Sequence, residues 1–579
     1  MLFKDLAHAF LEIEKESSRL GMTRLLAGVL TDATSQEADI ISNISLGQLR
    51  APFLGYQFNI AEKNIIKVFA EMLKKSEQEI DAQAKIVGDL GLVIEQEIWS
   101  TAHDLTVTQV YEMLEQIEKI SGLGSQEEKS SALQHLLLSL DPLSAKYVVR
   151  VILGTLRLGF SDMTLIDALS WMEAGDKSLR HTIEHAYNIC ADIGYIAKLL
   201  KTDGIEALKK MVPHVGTPIR PAGAERLATP SAIFEKLGPC IAQPKLDGFR
   251  LQIHLDKTKT PALVKFYSRN LIDMSHMFPD LAQAVLDLNV QTLIAEGEAI
   301  VFDANTGSFL PFQETVKRKR KHGIEKAMEE LPLQVFMFDV LYLNGKSLLP
   351  LTHETRRAQL MTLFGSADQK AVKIIEEVHI NNAKELEHYF AKNISAGLEG
   401  LVVKRPDAIY QPGKRNFNWI KLKRSEEGHL DDTIDCVILG YYSGSGKRAS
   451  FGVGAFLVGV YNPHNDSFET VAKIGTGLKD SDWVELKSKC DQIQALEKPK
   501  NVICSPELSP DVWVNPEIVC MIRADEITVS PLHAAARSEY HLGYALRFPR
   551  FMGYRPDKGP LEATTAQEII TLYNQQFNK

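Results

Sequence analysis

Apolar residues recur three and four positions apart through the first two hundred residues, a spacing that predicts a succession of amphipathic helices. Leu2, Phe3, Leu6, Phe10 and Ile13 open the pattern, and NIAEKNIIKVFAEMLKK, SALQHLLLSL and SAKYVVRVILGTLRL repeat it. Residues 1–212 are therefore read as an all-α domain. The pattern breaks at PHVGTPIRPAGAERLATP, where Pro213, Pro218, Pro221, Gly223 and Pro230 predict an extended connector free of helix and strand. Beyond it, β-branched runs such as LVKFYSRN, TLIAEGEAIVFD, LQVFMFDVLYLNG and GLEGLVVKRP alternate with helical pieces such as RRAQLMTLF. That texture predicts an α/β (α+β) domain over 213–424. After the polar segment RSEEGHLDD, the short runs DTIDCVILGYY, GAFLVGVY and ETVAKIGTG are separated by glycine-rich turns. They predict a small β-barrel over 430–579.

Composition narrows the class. At 579 residues the chain exceeds one hydrophobic core, and 45% hydrophobic with 24% charged residues is ordinary for multi-domain globular material. No run of about 18 apolar residues suggests a membrane span. The N-terminus mixes charges into its apolar spacing, unlike the core of a signal peptide, so a cytoplasmic location is expected. Cys190, Cys240, Cys436, Cys490, Cys504 and Cys520 form no CxxC pair, which argues against a zinc ribbon or disulfide framework and for buried thiols. A net charge of -9 means that any phosphate-binding surface must be local. The run Lys317-Arg318-Lys319-Arg320-Lys321 is one such surface, or merely a solvated helix face.

The chemistry centres on Gln243-Pro244-Lys245-Leu246-Asp247-Gly248-Phe249-Arg250. A lysine amine attacks phosphorus only when unprotonated, and it needs cations nearby to neutralise the phosphate. Alone, Lys-x-Asp-Gly also describes a hairpin with Asp-Gly at its tip. It is followed in order by Tyr267-Ser268-Arg269-Asn270, Glu296-Gly297-Glu298-Ala299, Phe336-Met337-Phe338-Asp339 and Glu399-Gly400-Leu401-Val402-Val403-Lys404. Lys414-Arg415 and Trp419-Ile420-Lys421-Leu422-Lys423 complete the series. Together these residues provide cations for phosphates, carboxylates for a divalent metal and an aromatic platform for a base.

This ordered set resembles the ATP-dependent DNA ligases, a branch of the covalent nucleotidyltransferases, over nearly the whole chain. The resemblance implies that Lys245 becomes AMP-linked, with ATP as co-substrate and Mg²⁺ or Mn²⁺ as cofactor. It implies phosphate or ribose contacts for Arg250, Arg269, Arg415, Lys421 and Lys423, ribose and metal contacts for Glu298, and a metal contact for Glu399. Phe338 would stack on adenine. At Gln243 the family often carries a glutamate that accepts from the adenine amino group; a glutamine carbonyl can accept that bond, while its amide can donate to another base. Near the C-terminus, Ala545 to Phe551 and Arg555-Pro556-Asp557-Lys558 resemble the sixth ligase motif on an OB-type barrel. Arg547, Arg550, Asp557 and Lys558 are its functional candidates. The N-terminal region resembles the helical DNA-binding domain of archaeal and eukaryotic replicative-type ligases. There Lys146, Arg150 and Arg157, spaced by four and seven, would present one cationic helix face to a DNA backbone.

The resulting expectation is a monomer with three domains: DNA-binding (1–212), adenylation (213–424) and OB-fold (430–579). It would seal nicked duplex DNA in replication, repair or recombination. A sliding clamp is a further partner to consider, although no glutamine-led clamp-binding motif stands out. The main rival is an RNA ligase or capping-type enzyme that uses the same lysine, against which the large helical N-terminus speaks. A catalytically silent DNA clamp would not need Lys245 with both glutamates. An NAD⁺-dependent ligase would be expected to carry a zinc module.

Overall fold

The computed structural model describes residues 1–99, 104–303, 308–310, 315, 317–318, 323–363, 371–423 and 433–576, in two compact units. Unit one comprises Met1–Ala61 and Trp99–Arg424; unit two comprises Glu62–Ile98 and Ser425–Lys579. No described helix is long and apolar enough to cross a membrane.

Helices fill the N-terminal part of unit one, from Phe3–Lys15 to Ile205–Lys209. The first is amphipathic as its spacing predicts, with Phe3, Leu6, Phe10 and Ile13 buried. Side-chain caps set helix starts: Thr34 and Glu37 form a capping box, as do Thr106 and Gln109. The helix Pro142–Ile152, capped by Asp141, corrects one expectation. Lys146 and Arg150 point inward at 2% exposure, and both pair with Glu14 of the first helix, at 3.0 and 3.1 Å. Arg157 lies beyond the helix end, exposed, with a φ of 62°. The left-handed Gly154 stops the helix before it. The three cations therefore share no solvent-facing helix surface.

Two sheets follow. Strands β1 (Gly223–Arg226), β2 (Cys240–Lys245), β10 (Val378–Ile380), β11 (Gly400–Lys404) and β12 (Arg415–Lys423) form one, in the order β1-β12-β11-β2-β10. The other has the order β4-β3-β5-β7-β8, with β6 and β9 beside it. Its strands are β3 (Phe249–Asp256), β4 (Leu263–Ser268), β5 (Thr292–Asp303), β6 (Ser308–Phe309), β7 (Leu333–Leu343), β8 (Lys346–Ser347) and β9 (Val372–Ile374). Each sheet has an apolar face covered by helices. Cys240, Ala242, Leu401, Val403, Ile420 and Leu422 pack with Ile233, Leu386 and Tyr389. Leu251, Ile253, Leu293 and Ala295 pack with Leu281 and Val285.

The proline-rich connector is not free of strand, since β1 runs parallel to β12. Its backbone is held by side chains from the polar row of the second sheet. Gln252 accepts from Ile219 N at 2.8 Å and donates to Ile219 O at 2.9 Å. His254 Nδ1 accepts from Gly216 N at 3.1 Å, so the ring proton sits on Nε2, 2.9 Å from Gln252 Oε1. The basic run is also corrected in part: Arg318 is 1% exposed and paired with Asp280 at 2.7 Å. Lys319, Arg320 and Lys321 lie outside the described residues, as does RSEEGHLDD.

In unit two, the strand Ile434–Tyr442 is buried on both faces, which explains its continuous apolar run. It belongs to an eight-stranded sheet; a separate hairpin pairs Glu526–Ser530 with Gly543–Arg547. The unit is not all strand. The helix Asp480–Gln492 inserts Trp483, Leu486 and Cys490 into the core, and Ala566–Gln575 adds Ile569. Three short helices of 62–98 belong here too. Gly88 caps one of them at φ +71°, and a Cβ there would stand 2.5 Å from Ala449 Cβ, so only glycine permits that contact. The six cysteines are free thiols, all buried except the half-buried Cys504.

Burial pushes the His254 pKa down to about 3, with His214 adding to the effect. The unfolded chain takes up this proton below about 6.5 while the folded one does not, so acid removes stability from about pH 6.5 downward. The expected loss from this one group is about 2 kcal/mol at pH 5. His254→Asn retains an acceptor for Gly216. Urea melts at pH 7 and pH 5 should show a smaller pH dependence for this variant than for the parent; equal dependence would refute the assignment.

Candidate active site

Strand alternation builds the site. With Cys240 and Ala242 committed to the core, Gln243 and Lys245 occupy the opposite face of β2. Strand register carries that face across the sheet. Lys245 lies opposite Gly400 and Gly400 opposite Lys423; Gln243 lies opposite Val402 and Val402 opposite Lys421. Gly400 is required by close approach, because a Cβ there would fall 2.1 Å from the Leu422 carbonyl oxygen at a φ of +147°. The glycine thus leaves open the space flanked by the two lysines.

Glu399 occupies that space, pairing with both Lys245 and Lys423, and its backbone N–H donates to Lys245 O at 3.2 Å. Burial raises the Glu399 pKa, but the two ammoniums outweigh it and hold the carboxyl below its ordinary value. The Lys421 pKa is lowered, first by burial and then by Lys423, Arg415, Arg269 and Lys245. Five predicted cations therefore share one electrostatic neighbourhood. Beside Arg269 a crevice opens, lined also by Asn43, Gln48, Arg220 and Asn270.

The second sheet supplies Glu296, Glu298 and the aromatic ring. Arg250 lies opposite Glu298, and Gln252 opposite Glu296. Glu298 accepts from Gly248 N at 3.2 Å, and its carboxyl is pushed up to about 7 by burial against the opposing pull of Lys245 and Arg250. Arg250 forks onto Glu296, both contacts at 3.0 Å, and donates to Ala222 O at 2.9 Å; its Nε is buried without a partner. Phe338 sits where the pairing of β5 and β7 shifts register, beneath Arg250 at 5.5 Å and Lys404 at 5.1 Å.

Several polar partners went unnoticed in the sequence. Asp339 and Arg356, each 1% exposed, form a buried pair at 2.7 Å. Glu377 accepts from Gln243 Nε2 at 2.7 Å and His353 Nε2 at 3.0 Å. Lys404 is buried over Trp419, at 4.3 Å, and burial lowers its pKa to about 8. The period-two pattern would have flagged Glu296, two residues before Glu298, and Lys404, two after Val402. Nothing local marks Glu377 or His353, whose roles arise from distant chain segments.

The donor set fits a divalent cation. Glu399 pairs with Lys245 and Glu298 lies within its electrostatic reach, and hard cations such as Mg²⁺ use one or two carboxylates with substrate phosphates. Among the described residues no cluster of three or more His, Cys, Asp or Glu side chains suits a metal, so the remaining ligands would come from substrate.

In unit two, Arg547 pairs with Glu526 at 2.6 Å, Arg550 with Asp525 at 3.0 Å, and Lys558 with Asp435 at 2.7 Å. Asp557 pairs with Arg555 at 2.8 Å. All four sixth-motif candidates thus hold ion pairs within their own unit.

Three family models match the chain. One described as DNA ligase N terminus covers residues 2–170, one as ATP dependent DNA ligase domain covers 221–423, and one as ATP dependent DNA ligase C terminal region covers 449–558. The chain is 46% identical to a "Probable DNA ligase" of Dictyoglomus turgidum, over 100% of this chain and 98% of that protein. It is 39% identical to the "DNA ligase" of Saccharolobus solfataricus, with the same shares covered. A solved structure titled "Pmar-Lig_PreS3" shares the fold at a TM-score of 0.57 and 17% identity, over 95% of this chain and 99% of that one.

Lys421 stands among four other cations without a described carboxylate partner, and is therefore a direct test of the cluster's role. Lys421→Ala should weaken ATP binding by about tenfold or more, the loss expected of one charged hydrogen bond. The deficit should narrow at high salt. Titration calorimetry that returns the parent affinity would contradict this.

Proposed function

The chain belongs to the ATP-dependent DNA ligase family, and from that premise we propose that it seals nicks through a lysyl-AMP intermediate on Lys245. The supporting observation is the placement of Lys245 on one sheet face with Lys421 and Lys423, close to Arg269 and Arg415.

The reaction has three steps. Lys245 first gives its ammonium proton to solvent; the neutral amine attacks the α-phosphorus of ATP, pyrophosphate leaves with the bridging oxygen's electron pair, and the nitrogen sheds a second proton to leave a P–N bond. AMP then passes from Lys245 to the 5′-phosphate at a nick. Finally the 3′-hydroxyl attacks that phosphate, forms the phosphodiester and releases AMP. Arg269, Arg415, Lys421 and Lys423 neutralise phosphate charge through the sequence. Glu399, ion-paired with Lys245 before substrate arrives, holds the nucleophile in place. Glu298 and Glu399 are the residues to hold Mg²⁺ or Mn²⁺, which when bound would withdraw charge from the phosphates. Arg250, clamped by Glu296, orients the nucleotide, and Phe338 supplies an aromatic surface for its base.

The three-domain reading, 1–212 for DNA, 213–424 for adenylation and 430–579 as an OB-type barrel, belongs to the same proposal. Of the three N-terminal cations, the exposed Arg157 is suited to a DNA phosphate, whereas Lys146 and Arg150 brace Glu14. Arg547, Arg550 and Lys558 would exchange their present carboxylate partners for the β- and γ-phosphates during the first step, while the Asp557 carboxylate, which phosphates repel, would keep its pair with Arg555.

The test is sealing of a nicked DNA duplex compared with an RNA duplex, using ATP, GTP or NAD⁺. DNA with ATP should be the productive combination, and Glu399→Ala should slow it by roughly two orders of magnitude or more. Arg550→Ala should impair self-labelling by ATP more than sealing of a nick already carrying 5′-adenylate, from which no pyrophosphate leaves. A point variant is needed because truncation before the sixth motif would remove the core residues Leu546, Phe551 and Ile569. Equal loss in both Arg550→Ala assays would contradict the step-specific role.

A further inference from the structure

Gln243 is 1% exposed, and its amide nitrogen donates to Glu377 Oε2 at 2.7 Å. Glu377 also accepts from His353 Nε2 at 3.0 Å and lies 3.7 Å from Arg357 Nε. Burial raises the Glu377 pKa, but His353, Arg357 and Gln243 together bring it down to about 2, so the group is an anion with no proton to donate. An ionised carboxylate can only accept. The Gln243 amide must therefore turn its NH₂ toward Glu377 and its carbonyl oxygen away. No described residue hydrogen-bonds to that oxygen. A fixed, open acceptor thus stands two residues before Lys245 on the same strand face, about 7 Å away along the strand. Within a side chain's reach, that separation spans the distance from the α-phosphate of a nucleotide to its purine.

We propose that Glu377 is a positioning residue for nucleotide choice: by holding the Gln243 amide in one orientation, it presents a lone acceptor that selects adenine over guanine. The proposal rests on the nucleotidyl-transfer reading of Lys245. Adenine carries an amino donor at the ring position where guanine carries a carbonyl acceptor. A lone acceptor binds the first and repels the second. A freely turning glutamine would serve either, donating to guanine as readily as accepting from adenine. The anchor is stiff because His353 and Arg357 lie on the helix His353–Thr362, which Arg356 ties to Asp339 at 2.7 Å.

The experiment measures second-order rates of covalent self-labelling by ATP and by GTP for full-length protein and variants. The parent should favour ATP. Glu377→Gln replaces the pure acceptor with a group that can also donate, which frees the Gln243 amide to turn; the ATP-to-GTP ratio should fall by about tenfold or more. The exchange Gln243→Glu with Glu377→Gln should restore the ratio, because a carboxylate at 243 can only accept and the new amide can hold it. If Glu377→Gln slows both nucleotides equally, Glu377 is merely structural and the proposal fails. It also fails if the parent labels equally with both. A parent that labels with neither would overturn the ligase reading itself. Should Glu377→Gln not melt cooperatively, Gln243→Met removes the acceptor at similar volume; it should lose the ATP preference, and an unchanged ratio would overturn the proposal.

Discussion

Mutual repulsion among like charges is the constraint on which this site depends. Lys245, Lys423, Arg269 and Arg415 lie close enough to Lys421 to add to the effect of burial in depressing its ionisation. Such a group is unfavourable in an empty protein and becomes favourable when phosphates enter. The fold holds it together with a carboxylate, Glu399, paired with both Lys245 and Lys423, and with two sheets whose apolar faces are fastened elsewhere. On the proposed function, binding energy for a triphosphate would in this sense be prepared before the ligand arrives, because the cations would need little reorganisation to meet it.

A second layer of ion pairs fixes the groups that are not free to move. Glu296 forks onto Arg250, Asp339 onto Arg356, and Glu377 gathers Gln243 and His353. Removing one partner of such a buried pair costs about 3–5 kcal/mol, which makes the arrangement rigid as well as specific. The sixth-motif cations of unit two are held differently. Arg547 and Arg550 keep partly exposed ion pairs, which are weak and exchangeable, whereas Lys558 shares the buried Asp435 with Arg555.

Much of this was legible in the chain because strand alternation is a local property. Lys421 and Lys423 alternate with apolar residues, and Gln243 and Lys245 with core residues, so each pair's common face followed from period two, whereas the register through β11 that joins the two faces did not. The helices of residues 1–212 were legible for the same reason at period 3.6. The reading of Lys146, Arg150 and Arg157 failed where tertiary structure intervened. Glu14, more than a hundred residues away, turns two of them inward, and Gly154 ends the helix before the third. Glu377 and His353 were invisible because no local pattern relates them to Gln243. The helix Asp480–Gln492 was missed because strand-rich flanks dominated the reading of its surroundings.

The central claim is that Lys245 is the nucleophile around which the cations are arranged. Its most direct test is to incubate the full-length protein with ATP and Mg²⁺, digest it, and locate the added AMP by tandem mass spectrometry. The expected result is one modified peptide, with AMP on Lys245. An adduct on another residue, or none while nicks are still sealed, would contradict the account.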